Sequence, residues 1–118
     1  MSPERFRTSE WATGVWEAGE VWRLLRQDEL VGEIVIEKGD FPWLSGRFVA
    51  TLAFAEWRPL FDRELALMEE EAWDEWERIV DQVCNNLLLA APSGPVAEFL
   101  LHIEGDQAWF RWSDEPFE

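Results

Sequence analysis

The stretch from Phe54 to Leu89 reads FAEWRPLFDRELALMEEEAWDEWERIVDQVCNNLLL, and its spacing decides the fold. Phe54, Trp57, Phe61, Leu65 and Met68 recur at steps of three and four, as do Trp73, Trp76, Val80, Val83 and Leu87. Steps of three and four line one side of a helix with a 3.6-residue period. Glu69, Glu70, Glu71, Asp74, Glu75, Glu77 and Asp81 fall between and beside them. The spacing predicts two amphipathic helices, at about residues 53–70 and 71–86, with aromatic faces buried and acidic faces in water. Thr51 suits the N-cap of the first, and Pro59 either places the helix start near Arg58 or kinks it there. Asn85 and Asn86 favour a stop, because Asn tolerates the left-handed backbone at a helix end. Leu87-Leu88-Leu89 fits a last helical turn or a short strand.

On both sides of this stretch the pattern turns to strands. Val21 to Arg26 and Leu30 to Glu37 are rich in β-branched and large apolar residues, and the polar Gln27-Asp28-Glu29 between them marks a hairpin. Gly39-Asp40 ends the second strand with turn chemistry. Phe41-Pro42-Trp43-Leu44-Ser45-Gly46 reads as a loop, since proline is out of place in a central strand, and Arg47 to Ala50 as a short third strand. Pro92-Ser93-Gly94-Pro95 is a second loop. Near the C-terminus, Phe99, Leu101 and Ile103 alternate, Gly105-Asp106 turns, and Ala108, Phe110 and Trp112 return. A two-residue turn pairs Ile103 with Ala108, Leu101 with Phe110 and Phe99 with Trp112 on one face. Leu100 then meets Arg111, and His102 meets Trp109, on the other. The expected architecture is α+β: a single domain over residues 20–118, with a mainly antiparallel sheet of four to six strands and both helices packed on one face. In residues 1–19, Phe6, Trp11 and Trp16 are five apart, matching neither period, so an irregular arm is expected there.

The 118 residues carry a formal charge of −15, with 10 basic and 25 acidic side chains. The imbalance is concentrated after residue 60, where 15 acids meet 3 bases. Such a surface repels nucleic acid and anionic membrane, and it speeds encounter with a basic partner. No apolar run approaches the roughly 20 residues that span a bilayer. The start of the chain is charged and leads into no apolar core of a secretion signal, and the lone Cys84 permits no intrachain disulfide. A reducing, cytoplasmic location is the resulting expectation. Nine Trp and eight Phe against no Tyr supply a large apolar area to a small core, with one or two Trp left for an interface.

Sites of chemistry are hard to find. Nucleophilic catalysis needs a nucleophile beside a base, and the chain offers one histidine, His102, and one thiol, Cys84. Cys84 follows Val83 on the second helix, where a small buried role is natural, and His102 sits in mid-strand, where packing explains it. No enzyme activity is expected. Clustered His and Cys ligands for zinc or iron are missing, and the scattered glycines form no phosphate-cradling loop, so neither metal nor cofactor is expected. Glu70, Asp74, Glu77 and Asp81 step by four, three and four into one acidic stripe. A solvated helix face accounts for it better than a Mg²⁺ or Ca²⁺ site, and Arg78 lies at pairing distance from Asp74 and Glu75.

Three further segments carry a resemblance. Phe41-Pro42-Trp43-Leu44 with Gly46 and Phe48, then Leu101-His102-Ile103-Glu104-Gly105-Asp106, and finally Trp112-Ser113-Asp114-Glu115-Pro116-Phe117, resemble small acidic bacterial proteins of unknown function. The similarity spans Val21 to Phe117; it implies a stand-alone domain and assigns no activity.

These readings converge on an interaction protein that binds a basic protein partner. Glu70, Asp74, Glu77 and Asp81 are the candidate contact residues on the helices, with Phe41 and Trp43 as aromatic candidates in the loop. Small bacterial immunity proteins, which neutralise cationic toxin domains, follow the same logic of charge. The alternative is a small-ligand-binding domain or enzyme with a Trp-lined pocket between sheet and helices, in which two polar groups converge. A homodimer with the surplus Trp residues at its interface is a third expectation.

Overall fold

The computed structural model describes residues 18–40 and 43–113, with the backbone alone at Asp40. The arm over residues 1–17, Phe41 and Pro42, and the acidic tail lie outside the described residues. Strand β1 (Val21–Arg26) and strand β2 (Glu29–Asp40) form the expected hairpin around Gln27-Asp28, with Gln27 at φ 56°. Strand β3 (Trp43–Ala50) follows, then a 3₁₀ turn (Leu52–Glu56), helix α1 (Arg58–Glu69) and helix α2 (Trp73–Asn86). Short strands β4 (Leu88–Ala91) and β5 (Gly94–Pro95) precede the closing hairpin of β6 (Glu98–Glu104) and β7 (Gln107–Ser113).

The strands make one antiparallel sheet in the order β5-β4-β1-β2-β3-β7-β6. Among the described residues it has seven strands rather than four to six. The surplus comes from Leu88–Ala91 and Gly94–Pro95: burying Leu89 opposite Leu24 outweighs one more helical turn, and Gly94-Pro95 pairs back onto Ala90-Ala91. Where a loop is expected over Phe41 to Gly46, β3 already begins at Trp43, immediately after the proline, and pairs with β2 and β7. The closing hairpin has the expected register, with Ile103 opposite Ala108, Leu101 opposite Phe110, Phe99 opposite Trp112 and His102 opposite Trp109.

Pro59 ends the ambiguity of the helical stretch by sitting in the first turn of α1, where its missing N–H costs nothing. The segment before it is a 3₁₀ turn instead of the start of one long helix. Thr51 caps that turn, its hydroxyl accepting from the Ala53 N–H at 3.2 Å while donating to the carbonyl of Leu30 at 2.7 Å. Register shifts between Leu24 and Leu25 and between Ile36 and Lys38 add local twist, which lets the sheet curl over one apolar face. On that face Trp22, Ile34, Phe48, Leu101 and Phe110 are buried together with Phe54, Phe61, Val83 and Leu87 from the helical segment. Aromatic rings meet within the curled sheet, Trp22 and Phe110 at 5.0 Å, and between sheet and helical segment, Phe48 and Phe54 edge-on at 4.7 Å.

Two local features carry consequences for stability. The backbone of β3 passes so close to β2 that a Cβ at Gly46 would collide with the Val35 carbonyl. The other is the end of α1, where the Ala72 N–H reaches the Leu67 carbonyl (3.0 Å) and the Glu71 N–H reaches that of Met68 (3.1 Å). This is the Schellman pattern, and it places Glu71 at φ 58° in the left-handed region that glycine favours. Glu71→Gly should raise the free energy of unfolding by about 1 kcal/mol, and Gly46→Ala should lower it by about 2–3 kcal/mol. Urea denaturation followed by Trp fluorescence measures both.

Candidate functional site

Helical spacing places Glu64 three residues after Phe61 and three before Leu67, and all three are buried in α1. The carboxylate is 1% exposed, on the side of the helix where only apolar residues are expected. Its partner comes from β6, the last strand of the sheet among the described residues. His102, 3% exposed, belongs to the face of β6 opposite Leu101 and Ile103, and its Nδ1 lies 3.0 and 2.9 Å from the two oxygens of Glu64. The Trp76 indole N–H from α2 donates to Oε2 at 2.7 Å. Two more indoles flank the imidazole, Trp43 stacked at 5.8 Å and Trp109 tilted at 5.3 Å. One carboxylate thus joins α1, α2 and β6, and three Trp residues exclude water around it.

Sequence reasoning passed over Glu64, although its position midway between two buried residues at helical spacing was a usable signal. His102 and Trp109 were paired correctly, but nothing in the sequence identified what the imidazole bonds to. The packing expected of α1 is also shifted: Leu67 is buried, whereas Leu65 and Met68 are half-buried. Along α2, Val83 and Leu87 are buried and Trp76 and Val80 half-buried, but Trp73 is 52% exposed. Trp73 stands at the first turn, ahead of the part of α2 that meets the core, and rests edge-on against Trp76 at 5.6 Å.

The four acids of the stripe are all exposed, Glu70 just past the end of α1 and Asp74, Glu77 and Asp81 along α2. The cation that joins this region is not Arg78: Arg63 of α1 donates to Glu75 at 2.8 Å, bridging the two helices. Trp43, the loop candidate, is half-buried against His102, so the structure connects it to Trp76 through His102 and Glu64. Phe41 lies outside the described residues.

Between α2 and the start of β6 runs an open groove of about 590 Å³. Trp76, Val80 and Leu100 give it an apolar lining, and Glu77, Asp81 and Glu98 line it with carboxylates. A second opening lies at the start of α2 around Trp73 and Arg78, and a third between Met68 and Trp109; neither Glu64 nor His102 lines any of the three. The polar pair therefore converges on itself and not on these spaces. Among the described residues, no group of three His, Cys, Asp or Glu side chains is placed to hold a metal ion. Among the described residues, no helix is long and apolar enough to cross a membrane.

Cys84 closes one end of the groove, its thiol donating to the Phe99 carbonyl at 3.4 Å. Burial first, and then the charges of Glu98 and Asp81, push this thiol up to about 11. The neutral thiol therefore persists throughout the physiological range, which is the reverse of an activated nucleophile. No family model, curated protein or solved structure matches the chain.

His102→Ala strands a buried carboxylate and should cost about 3–5 kcal/mol of stability, whereas Glu64→Leu with His102→Leu should restore much of the loss; urea titrations of the two variants provide the comparison. At pH 8, a disulfide reagent should label Cys84 at least about a hundredfold more slowly in the folded protein than in urea, as a thiol raised by roughly two units requires. Stopped-flow absorbance reads both rates.

Proposed function

We propose that this chain is a non-enzymatic interaction domain that captures a basic protein partner on the acidic side of α2. The observation that carries this reading is the exposure of Glu70, Asp74, Glu77 and Asp81 beside a half-exposed Trp73 and an apolar-floored groove with no basic residue in its lining. Carboxylates in water are steered toward a cation at long range, and the neighbouring apolar surface adds contact energy once the partner arrives. An acidic stripe needed for solubility alone would not require an exposed indole at one end and an oily channel at its side. Glu75 is already engaged by Arg63, so it is left out of the contact set. The single cysteine and the net charge of −15 fit a reducing, cytoplasmic setting for the proposed capture. The charge logic is that of immunity proteins and is offered as analogy only.

Glu70→Lys, Asp74→Lys and Glu77→Lys together should leave the circular dichroism spectrum and the unfolding midpoint close to those of the parent, because all three side chains stand in water. The same variant should lose the proteins that the parent retains from an extract of its own cells at 150 mM salt, roughly the ionic strength at which only close charges still act. Undiminished retention by a folded triple variant would remove the acidic stripe from the function.

A further inference from the structure

We infer that the groove between α2 and β6 is the seat of an extended basic segment of the partner, one in which Lys or Arg alternates with an apolar residue. This rests on the reading that the domain binds a basic protein, and it assigns that protein a mode of contact. Three observations lead to it. The lining is apolar on both elements, Trp76 and Val80 from the helix and Leu100 from the strand, while Phe99 beside it keeps its ring in the core. The rim is negative on both sides, with Glu77 and Asp81 facing Glu98. The field of that rim reaches into the groove, because Glu98 and Asp81 both act on the Cys84 thiol lodged in its wall. A chain with apolar side chains down and cations up satisfies both layers, and the methylene stems of Lys or Arg cover the exposed edge of the floor.

The dimensions suit an extended strand. From Trp76 to Cys84 the helix advances about 12 Å at roughly 1.5 Å per residue, which matches about four residues of extended chain at roughly 3.3 Å each. Among the described residues, β6 is also the last strand of the sheet. The Phe99 carbonyl turns away from β7 toward α2, where it meets Cys84, so strand edge and groove coincide there. The Glu64–His102 pair holds the floor in place: by accepting the Trp76 N–H at 2.7 Å, Glu64 fixes the indole that forms its first element. Glu64 and His102 are thus positioning residues for a contact that they do not make.

The test uses two fluorescein-labelled octapeptides of equal charge, one alternating Arg with Leu and one alternating Arg with Ser, titrated into the 118-residue chain by fluorescence anisotropy at 150 mM salt. The Arg-Leu peptide should bind at least about tenfold more tightly, the equivalent of about 1.4 kcal/mol. Val80→Ser together with Leu100→Ser should abolish that preference while leaving Arg-Ser binding unchanged. The Glu70, Asp74 and Glu77 reversal should weaken both peptides. Trp76→Phe, which keeps the ring and removes the N–H, should reduce the preference without abolishing it. Equal binding of the two peptides, both still lost on charge reversal, would overturn the groove and leave the acidic face standing. Binding of neither peptide would overturn both. A preference that persists in the Val80, Leu100 variant would place the apolar contact elsewhere and overturn the assignment. Concentration-dependent sedimentation of the parent that disappears in that variant would show a second copy of this chain as the occupant, again overturning it.

Discussion

Everything on the helical side of the molecule depends on one buried carboxylate. Glu64 is the polar atom group through which α1, α2 and β6 meet, and it has no water to fall back on. The cost of removing a charge from water is several kcal/mol, recovered only where hydrogen bonds are short and well placed. Here the imidazole of β6 supplies one partner and the indole of α2 another. Apolar packing alone leaves helices free to slide by a turn along an oily surface, because dispersion has little direction. A bond from Trp76 and a bond from His102 to the same carboxylate fix both the height of α1 on the strand and its distance from α2. Specificity of register, more than net stability, is what such a tie contributes.

How much of this was legible in the sequence depended on how local each determinant is. The closing hairpin could be read residue by residue, because a two-residue turn at Gly105-Asp106 determines every pairing from Glu98 to Ser113. At Pro59 the sequence narrows the helix to a start near Arg58 or a kink there, and the structure takes the first. Strands β4 and β5 were not legible, because Leu88 to Ala91 becomes extended through pairing with β1, more than sixty residues earlier in the chain. Tertiary pairing outweighed a local pattern that suited helix equally well.

The candidate site divides along the same line. Three members of the acidic stripe, Asp74, Glu77 and Asp81, share one helix and its spacing, while Glu70 lies just past the end of α1, and all four are exposed. The groove and the Glu64–His102 pair are properties of a helix against a strand, and no periodicity within one element announces them. Trp43 illustrates the difference: an aromatic residue beside a proline reads as a candidate anchor, whereas its ring packs on His102 two strands away across the sheet. Trp73 departs in the other direction, carrying the spacing of a buried face to a point where the sheet no longer lies beneath it.

The strand order has a consequence for how the chain assembles. β1, β2 and β3 form a meander whose contacts are local, and the β6–β7 hairpin is local as well. Joining them is not: β7 must find β3, and β4 must find β1, across the whole helical insertion. The early meander is therefore a template with two bare flanks, and the later half of the chain clasps it from both sides. Loop closure over such distances slows folding relative to a helical bundle of equal size. Until both flanks are covered, the apolar face of the template stays open to water, and the dense negative charge of the later half then keeps neighbouring molecules apart.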